Sequence, residues 1–195
     1  MNKNFSQQSL IDKGTLKDED WVLLENCRGG HNKLGFAYQL IFIRLLNTLP
    51  NQSPFEIIDE IVVYAAIQLS ANHNNIQRYS NNRKKIYDHQ QEIIQYLNNK
   101  EFDDNAQCKL HSFILEKSLQ FESVGLLQIK SVEFLRESKI LLPAQDTLLR
   151  IVKKQRFLAR KSLFDKIRER LSTTITKNLD ALLIVKSTYS EIGHC

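Results

Sequence analysis

Residues 30–50 read GHNKLGFAYQLIFIRLLNTLP, and the spacing of their apolar side chains decides the fold class. Leu34, Tyr38, Ile41 and Leu45 recur at the period of one helix face. Asn32 stands ahead of them as an N-cap, offering a side-chain oxygen to the free N–H groups of a first turn. Pro50 closes the element. Gly35 lies inside this helix, where glycine costs roughly 1 kcal/mol relative to alanine. The expected compensation is close packing of another backbone against it.

The same grammar continues on both sides. Upstream, Thr15 precedes LKDEDWVLLENC as a cap, Asp18-Glu19-Asp20 suits the positive end of a helix dipole, and Gly29-Gly30 stops the helix. Residues 1–14 are expected to be a flexible N-terminus. Downstream, Ser53, Pro54 and Glu56 fit N-cap, first-turn and capping-box positions. The helix they open would bury Ile58, Ile61, Val62, Ala65 and Leu69. A short element NIQRYS (75–80) follows a polar break, and Asn82 caps a helix with Ile86, Gln90, Ile93, Ile94 and Leu97 inward.

Asp103 or Asp104 starts another helix, with Cys108, His111, Leu115 and Leu119 along one side. Residues 126–138 form a weaker one through Ile129, Val132 and Leu135. ILLP (140–143) reads as extended, because the residue before proline avoids helical angles. Between 144 and 171 there is neither Gly nor Pro, so this is expected to be the longest helix. Its core stripe would be Leu148, Val152, Ala159, Leu163, Ile167 and Leu171. Ile175, Leu179 and Leu182 suggest a last short helix. The expected fold is all-α: a multi-helix bundle with a helix-turn-helix-like element and one long C-terminal helix. Its expected limits are a helical domain over 15–172, then a short helix and linker over 173–195.

Composition narrows the function classes. The 195 residues include 42% apolar and 25% charged side chains, against disorder, and only 6 Gly and 3 Pro, against an all-β sandwich. No apolar run reaches the roughly 18 residues of a membrane span, and MNKNFSQQSL lacks the apolar region of a secretory signal. A soluble, cytoplasmic protein is expected. Cys27, Cys108 and Cys195 form no CxxC pair, so reduced thiols are expected rather than a zinc site.

The histidines (31, 73, 89, 111 and 194) show neither zincin nor nucleophile-elbow spacing, and Gly29-Gly30-His31 lacks the rest of a P-loop. His89 and His111 lie on apolar faces and read as core or boundary residues. Asp103-Asp104 reads as a helix cap rather than a metal pair. No catalytic set, metal, cofactor or small-molecule substrate is expected.

Charge points elsewhere. Residues 1–143 carry 16 basic and 17 acidic side chains, whereas 144–195 carry 11 and 5. The net charge of +5 thus comes from the C-terminal segment, an electrostatic footprint for phosphate. Within it Arg150, Lys153, Lys154, Arg156, Arg160 and Lys161 should face solvent, where they hold DNA non-specifically or simply keep the chain soluble.

Residues 57–85 have the order of a helix-turn-helix: IIDEIVVYAAIQLS, the break SANHN, then NNIQRYS. Ala65-Ala66 are small enough for a close helix crossing. Ile76 and Tyr79 would point in, leaving Asn74, Asn75, Gln77 and Arg78 outward. Asn and Gln can bond adenine in two places, and Arg does so for guanine. Asn81, Asn82, Arg83, Lys84 and Lys85 then form a cationic helix start suited to a phosphate. A polar inter-helix connection with a solvated, charged helix start fits the same spacing.

The run 30–50 closely resembles the N-terminal signature of class II replicative transposases, the Tn-three-type family. Asn32, Leu34, Gly35, Phe36, Ala37, Gln39, Leu40 and Arg44 match, with Lys33 where arginine is usual. The similarity continues through IVVYAAIQLS, YSNNRKKIYDHQQEI (with Tyr79, Arg83 and His89 in matching places) and FLRESKILLPAQDTLLRIV. It fades after LDALL (179–183), and Lys84-Lys85-Ile86 replace the usual Thr-Arg pair.

The resemblance implies a non-catalytic region binding double-stranded DNA at terminal inverted repeats. It also implies a magnesium-dependent catalytic half that nothing here matches. The chain is then expected to be an N-terminal piece or a truncated gene product. The expected contacts are Arg28, His31, Asn32, Lys33, Asn74, Asn75, Gln77, Arg78, Asn81, Asn82, Arg83, Lys84, Lys85, Lys153, Lys154 and Lys161. The competing expectation is a helical assembly module that self-associates or docks a partner through 144–171.

Overall fold

The computed structural model describes residues 5–121 and 123–171, together with 175, 177, 178 and 180. These form nine helices and no sheet: α1 (Gln7–Gly14), α2 (Asp18–Glu25), α3 (Gly30–Leu46), α4 (Asp59–Gln68), α5 (Asn75–Ser80), α6 (Arg83–Tyr96), α7 (Asp104–Lys117), α8 (Val124–Glu137) and α9 (Gln145–Arg170). The fold is all-α, and α9, with 26 residues, is the longest element. The expected helix over Ile175, Leu179 and Leu182 lies mostly outside the described residues.

α3 is the axle of the first half. Every residue from Leu34 to Ile43 is buried, the condition of a helix enclosed on all sides, and α1, α2, α4, α5 and α6 pack around it. A single stripe was only part of its apolar surface. Gly29 is its N-cap at φ +86°, and its carbonyl accepts from the N–H groups of Asn32 (3.0 Å) and Lys33 (3.1 Å). Asn32 is therefore inside the first turn, where its side chain donates back to the Arg28 carbonyl at 2.7 Å. Asn47 ends the helix in the left-handed region at φ 55°.

Further local readings are corrected. Residues 7–14 are helical rather than a flexible terminus: Ser6 caps α1 by accepting from Ser9 N–H, and buried Gly14 lets α1 lie against Tyr64 and Ile41. Thr15 thus ends α1 instead of starting α2, and its hydroxyl meets that of Tyr64 at 2.9 Å.

The expected capping box at Ser53–Glu56 is instead a turn with a cis Ser53–Pro54 bond and an isolated bridge between Gln52 and Phe55. Helix α4 starts only at Asp59. The physical reason is Phe55, whose ring enters the core between Tyr38 and Tyr79, at 5.7 and 5.8 Å between centroids. Asp20, expected as a dipole partner, is fully buried: Arg44 grips it with two bonds of 2.8 and 2.7 Å, and Tyr96 adds a third of 2.8 Å.

A second, smaller core gathers α7, α8 and the first half of α9 around Ala106, Leu110, Leu127, Leu135, Leu148 and Val152. Val132 and Leu135 of α8 face this core as expected, but the face of α7 and the place of Ile129 differ from those expected. Cys108, Leu115, Leu119 and Ile129 are exposed, because α7 turns Ala106, Leu110 and Ile114 inward and stacks Phe113 on Phe134 at 4.4 Å. Asp103 does cap α7, accepting from Ala106 N–H at 2.7 Å. The two cores are tied by residues 140–142: Asn47 O accepts from Leu142 N–H at 2.7 Å, and Asn47 Nδ2 donates to the Ile140 carbonyl at 2.8 Å.

Candidate nucleic-acid interface

The segment between α4 and α6 has the inside and outside that its sequence requires. Ile76 and Tyr79 are buried at 4% and 0% exposure, while Asn74, Gln77 and Arg78 are exposed and Asn75 half-buried. Six residues of α5 cannot hold themselves, so the element depends on its packing across α3 and α6. That packing has one pivot. A Cβ on Gly35 would fall inside the ring of Tyr79, so the missing side chain creates the seat for this ring. The close neighbour of Gly35 is thus a side chain, not the backbone that its position suggests.

Beneath α5 lies a buried polar chain. The Tyr79 hydroxyl meets His89 Nδ1 at 2.9 Å and accepts from Gln39 Nε2, which also donates to the Ile86 carbonyl at 3.3 Å. The hydroxyl then donates to Nδ1, leaving the His89 proton on Nε2, which faces Cys27 Sγ at 4.0 Å. Burial, and secondarily the Lys85 charge, push His89 down to about 4, so the ring is neutral. Burial also raises the Tyr79 hydroxyl and lifts the Cys27 thiol to about 11. This chain joins the end of α2 to α3, α5 and α6, and it fixes which side of α5 faces outward. None of Gln39, Tyr79 and His89 stood among the expected contact residues, since their part is to support the surface.

α6 begins next to this face. Asn82 caps it, accepting from Lys85 N–H at 3.1 Å, and Asn81, Asn82, Arg83, Lys84 and Lys85 are all exposed. The start of α3 also comes alongside: a Cβ on Gly30 would stand 4.0 Å from Asn75 Nδ2. Arg28 is exposed, and His31, Asn32 and Lys33 are half-buried. The start of α3 thus lies beside the start of α5, and α6 begins three residues after α5 ends.

Lys153, Lys154 and Lys161 are also exposed, as are Arg150 and Arg160, while Arg156 is half-buried. They belong to α9, whose packing partners are α7 and α8. They stand on a helix of the second core. Leu163 and Ile167, expected in the core stripe, are exposed at 38% and 44%, and Leu163 lines an open cleft with Ser118, Leu119 and Phe121 just past α7.

The turn at 52–55 is another feature that the sequence reading missed. It stands against the ends of α5 and α6, where Arg83 Nη2 donates to Ser53 Oγ at 3.2 Å. Among the described residues no group of three or more His, Cys, Asp and Glu side chains could hold a metal, and no helix is long and apolar enough to cross a membrane.

An all-α domain with a short outward-facing helix, braced from below and flanked by cationic helix starts, is the class of protein this geometry defines. Residues 1–155 match the family described as "Domain of unknown function (DUF4158)", and the chain belongs to that family. It is similar to the transposase for transposon Tn1546 of Enterococcus faecium, 25% identical over 87% of this chain and 17% of that protein. It is also similar to the transposase for transposon Tn501 of Pseudomonas aeruginosa, 27% identical over 93% of the chain and 18% of the relative. The transposase for transposon gamma-delta of Escherichia coli (strain K12) is 27% identical over 78% and 15%, respectively. These matches identify the chain as similar to the N-terminal region of Tn-three-type transposases. It spans under a fifth of the length of these relatives.

Proposed function

We propose that this chain is a non-catalytic module that binds duplex DNA at transposon terminal inverted repeats, working as a soluble cytoplasmic protein. One observation carries the reading. The outward face of α5 presents Asn74, Gln77 and Arg78 beside the exposed cations Arg83, Lys84 and Lys85, with its register braced by the Tyr79–His89 bond. A helix so placed can enter a major groove while its neighbours hold phosphates. The helical region up to about 172 would act as one unit, with the α9 lysines adding phosphate contacts, and relatives of this length would carry catalysis elsewhere.

Fluorescence anisotropy on an inverted-repeat duplex and its scrambled counterpart tests the reading across a salt titration. Arg78→Ala should cost roughly 1–3 kcal/mol on the inverted repeat and little on the scramble. Arg83→Ala should weaken both and lower the salt slope by about one. Equal losses for Arg78→Ala on both duplexes would move the reading surface to Arg28–Lys33.

A second reading, assembly through α9, is favoured by Phe157 and Phe164 of that helix, each 66% exposed. A concentration-dependent change in sedimentation coefficient that Phe157→Ser abolishes would support it.

A further inference from the structure

We infer that the Gln52–Phe55 turn belongs to the DNA-facing surface, and that the cleft it forms with α5 and α6 seats a backbone phosphate of the bound duplex. This rests on the DNA reading proposed above and adds to it an element that neither the motif nor the relatives assign.

The cleft has a volume of about 430 Å³, and Gln52, Ser53, Gln77, Ser80, Asn81 and Arg83 supply its polar lining. No carboxylate lines it. Its charge is therefore that of a single guanidinium, surrounded by neutral hydrogen-bonding groups. That guanidinium donates to the hydroxyl of Ser53 at 3.2 Å, a neutral acceptor. An arginine has five N–H donors in a planar fork, and a phosphate oxygen is a stronger acceptor for them than a hydroxyl. Gln52, Gln77 and Asn81 add amide donors, and Ser53 a hydroxyl, on the same walls. The lining suits an anion that carries several acceptor oxygens.

The turn is held firmly although its tip is exposed. Phe55, 8% exposed, is wedged against the Tyr38 and Tyr79 rings. Gln52 donates its side-chain amide to Gln90, which is 1% exposed and itself donates to the Pro50 carbonyl at 3.4 Å. Glu56 N–H donates to the Asn51 carbonyl at 2.8 Å, closing the loop. Exposed donors on an anchored turn lose little freedom on binding, which favours affinity over an equally polar mobile loop.

Tyr79 connects this turn to the reading helix, because its ring touches Phe55 on one side and its residue belongs to α5. A phosphate in the cleft would thus lie at a set distance from whatever base edge Arg78 reaches. Contacts of this kind position a protein on DNA without reading sequence.

The test uses a duplex selected by the whole 195-residue chain from a randomised pool, followed by ethylation interference to map the phosphates that binding requires. The Gln52→Ala/Ser53→Ala variant should fold with unchanged helix content and bind about 3- to 10-fold more weakly. It should lose sensitivity at one phosphate flanking the selected consensus and lower the salt slope by up to one unit. Arg78→Ala should keep that phosphate's sensitivity while losing sequence preference. If the double variant binds with the wild-type affinity and the wild-type phosphate pattern, the turn makes no contact and this inference falls while the DNA reading stands. If the wild-type chain selects no consensus and shows no protected phosphate, the DNA reading and the inference fall together.

Discussion

Gly35 and Tyr79 are one structural decision made by two residues. Gly35→Ala adds a methyl group inside an aromatic ring that cannot rotate away without breaking its bonds to Gln39 and His89. Alanine would ordinarily gain about 1 kcal/mol of helix propensity here. The overpacking is expected to outweigh that gain, for a net loss of about 1–3 kcal/mol in urea unfolding. A neutral or stabilised Gly35→Ala would mean that the ring is not tightly seated.

His89 gives the protein a pH dependence with a defined window. Its ordinary value of 6.5 is lowered to about 4 on folding, by burial first and the Lys85 charge second. Stability is then full above pH 6.5 and is lost as pH falls towards 4, because the unfolded chain takes up a proton that the folded ring refuses. The loss over that window should approach about 3 kcal/mol. Denaturant titrations at pH 7 and pH 4.5 should show it, and His89→Gln should remove most of the difference between them.

Among the elements, α2 is attached by charge as much as by packing. Burial raises the Asp20 carboxyl, but its bonds to Arg44, the Lys17 N–H and Tyr96 reverse this and hold it below its ordinary 3.8. Its contribution is present above that value and is lost only as the pH falls below it, a window separate from that of His89. Asp20→Ala leaves Arg44, 16% exposed, without its buried partner. The expected cost is about 3–5 kcal/mol, read as a lowered urea midpoint. A loss under 1 kcal/mol would show that water replaces the carboxylate.

The short helix α5 illustrates the opposite case. Its inward and outward residues were legible in NNIQRYS, because two apolar positions three apart leave few alternatives. For α7 the same logic chose the wrong face, since apolar residues such as Leu115 and Leu119 occur on the exposed side as well, whereas on α8 Val132 and Leu135 face the core as expected and only Ile129 does not. Which side is buried depends on what packs there, and that is a property of the neighbours.

Among the described residues, exposed basic side chains occur at the starts of α3 and α6 on the first hydrophobic core and along α9 on the second. Replacing Lys153, Lys154 and Lys161 with Gln should lower the salt slope of DNA binding by about one per lost phosphate contact, without altering sequence preference. An unchanged slope would leave α9 the role of keeping the chain soluble or joining it to a partner.

Helical class, the number of long breaks and the outward polar set of α5 follow from residue order alone, because 3.6-residue periodicity and proline or glycine breaks are local properties. The SPFE turn does not follow from it: Ser, Pro and Glu fit a capping box locally, and only the pull of Phe55 into the Tyr38–Tyr79 core sets them as a turn. Gly35 was visible as an anomaly, but its ring partner 44 positions later was not. Nor was the burial of Asp20 against Arg44, or the meeting of the α3 start with α5. Each of these joins residues distant in the chain, and their pairing was decided when the helices closed around α3 and competed for the same buried volume.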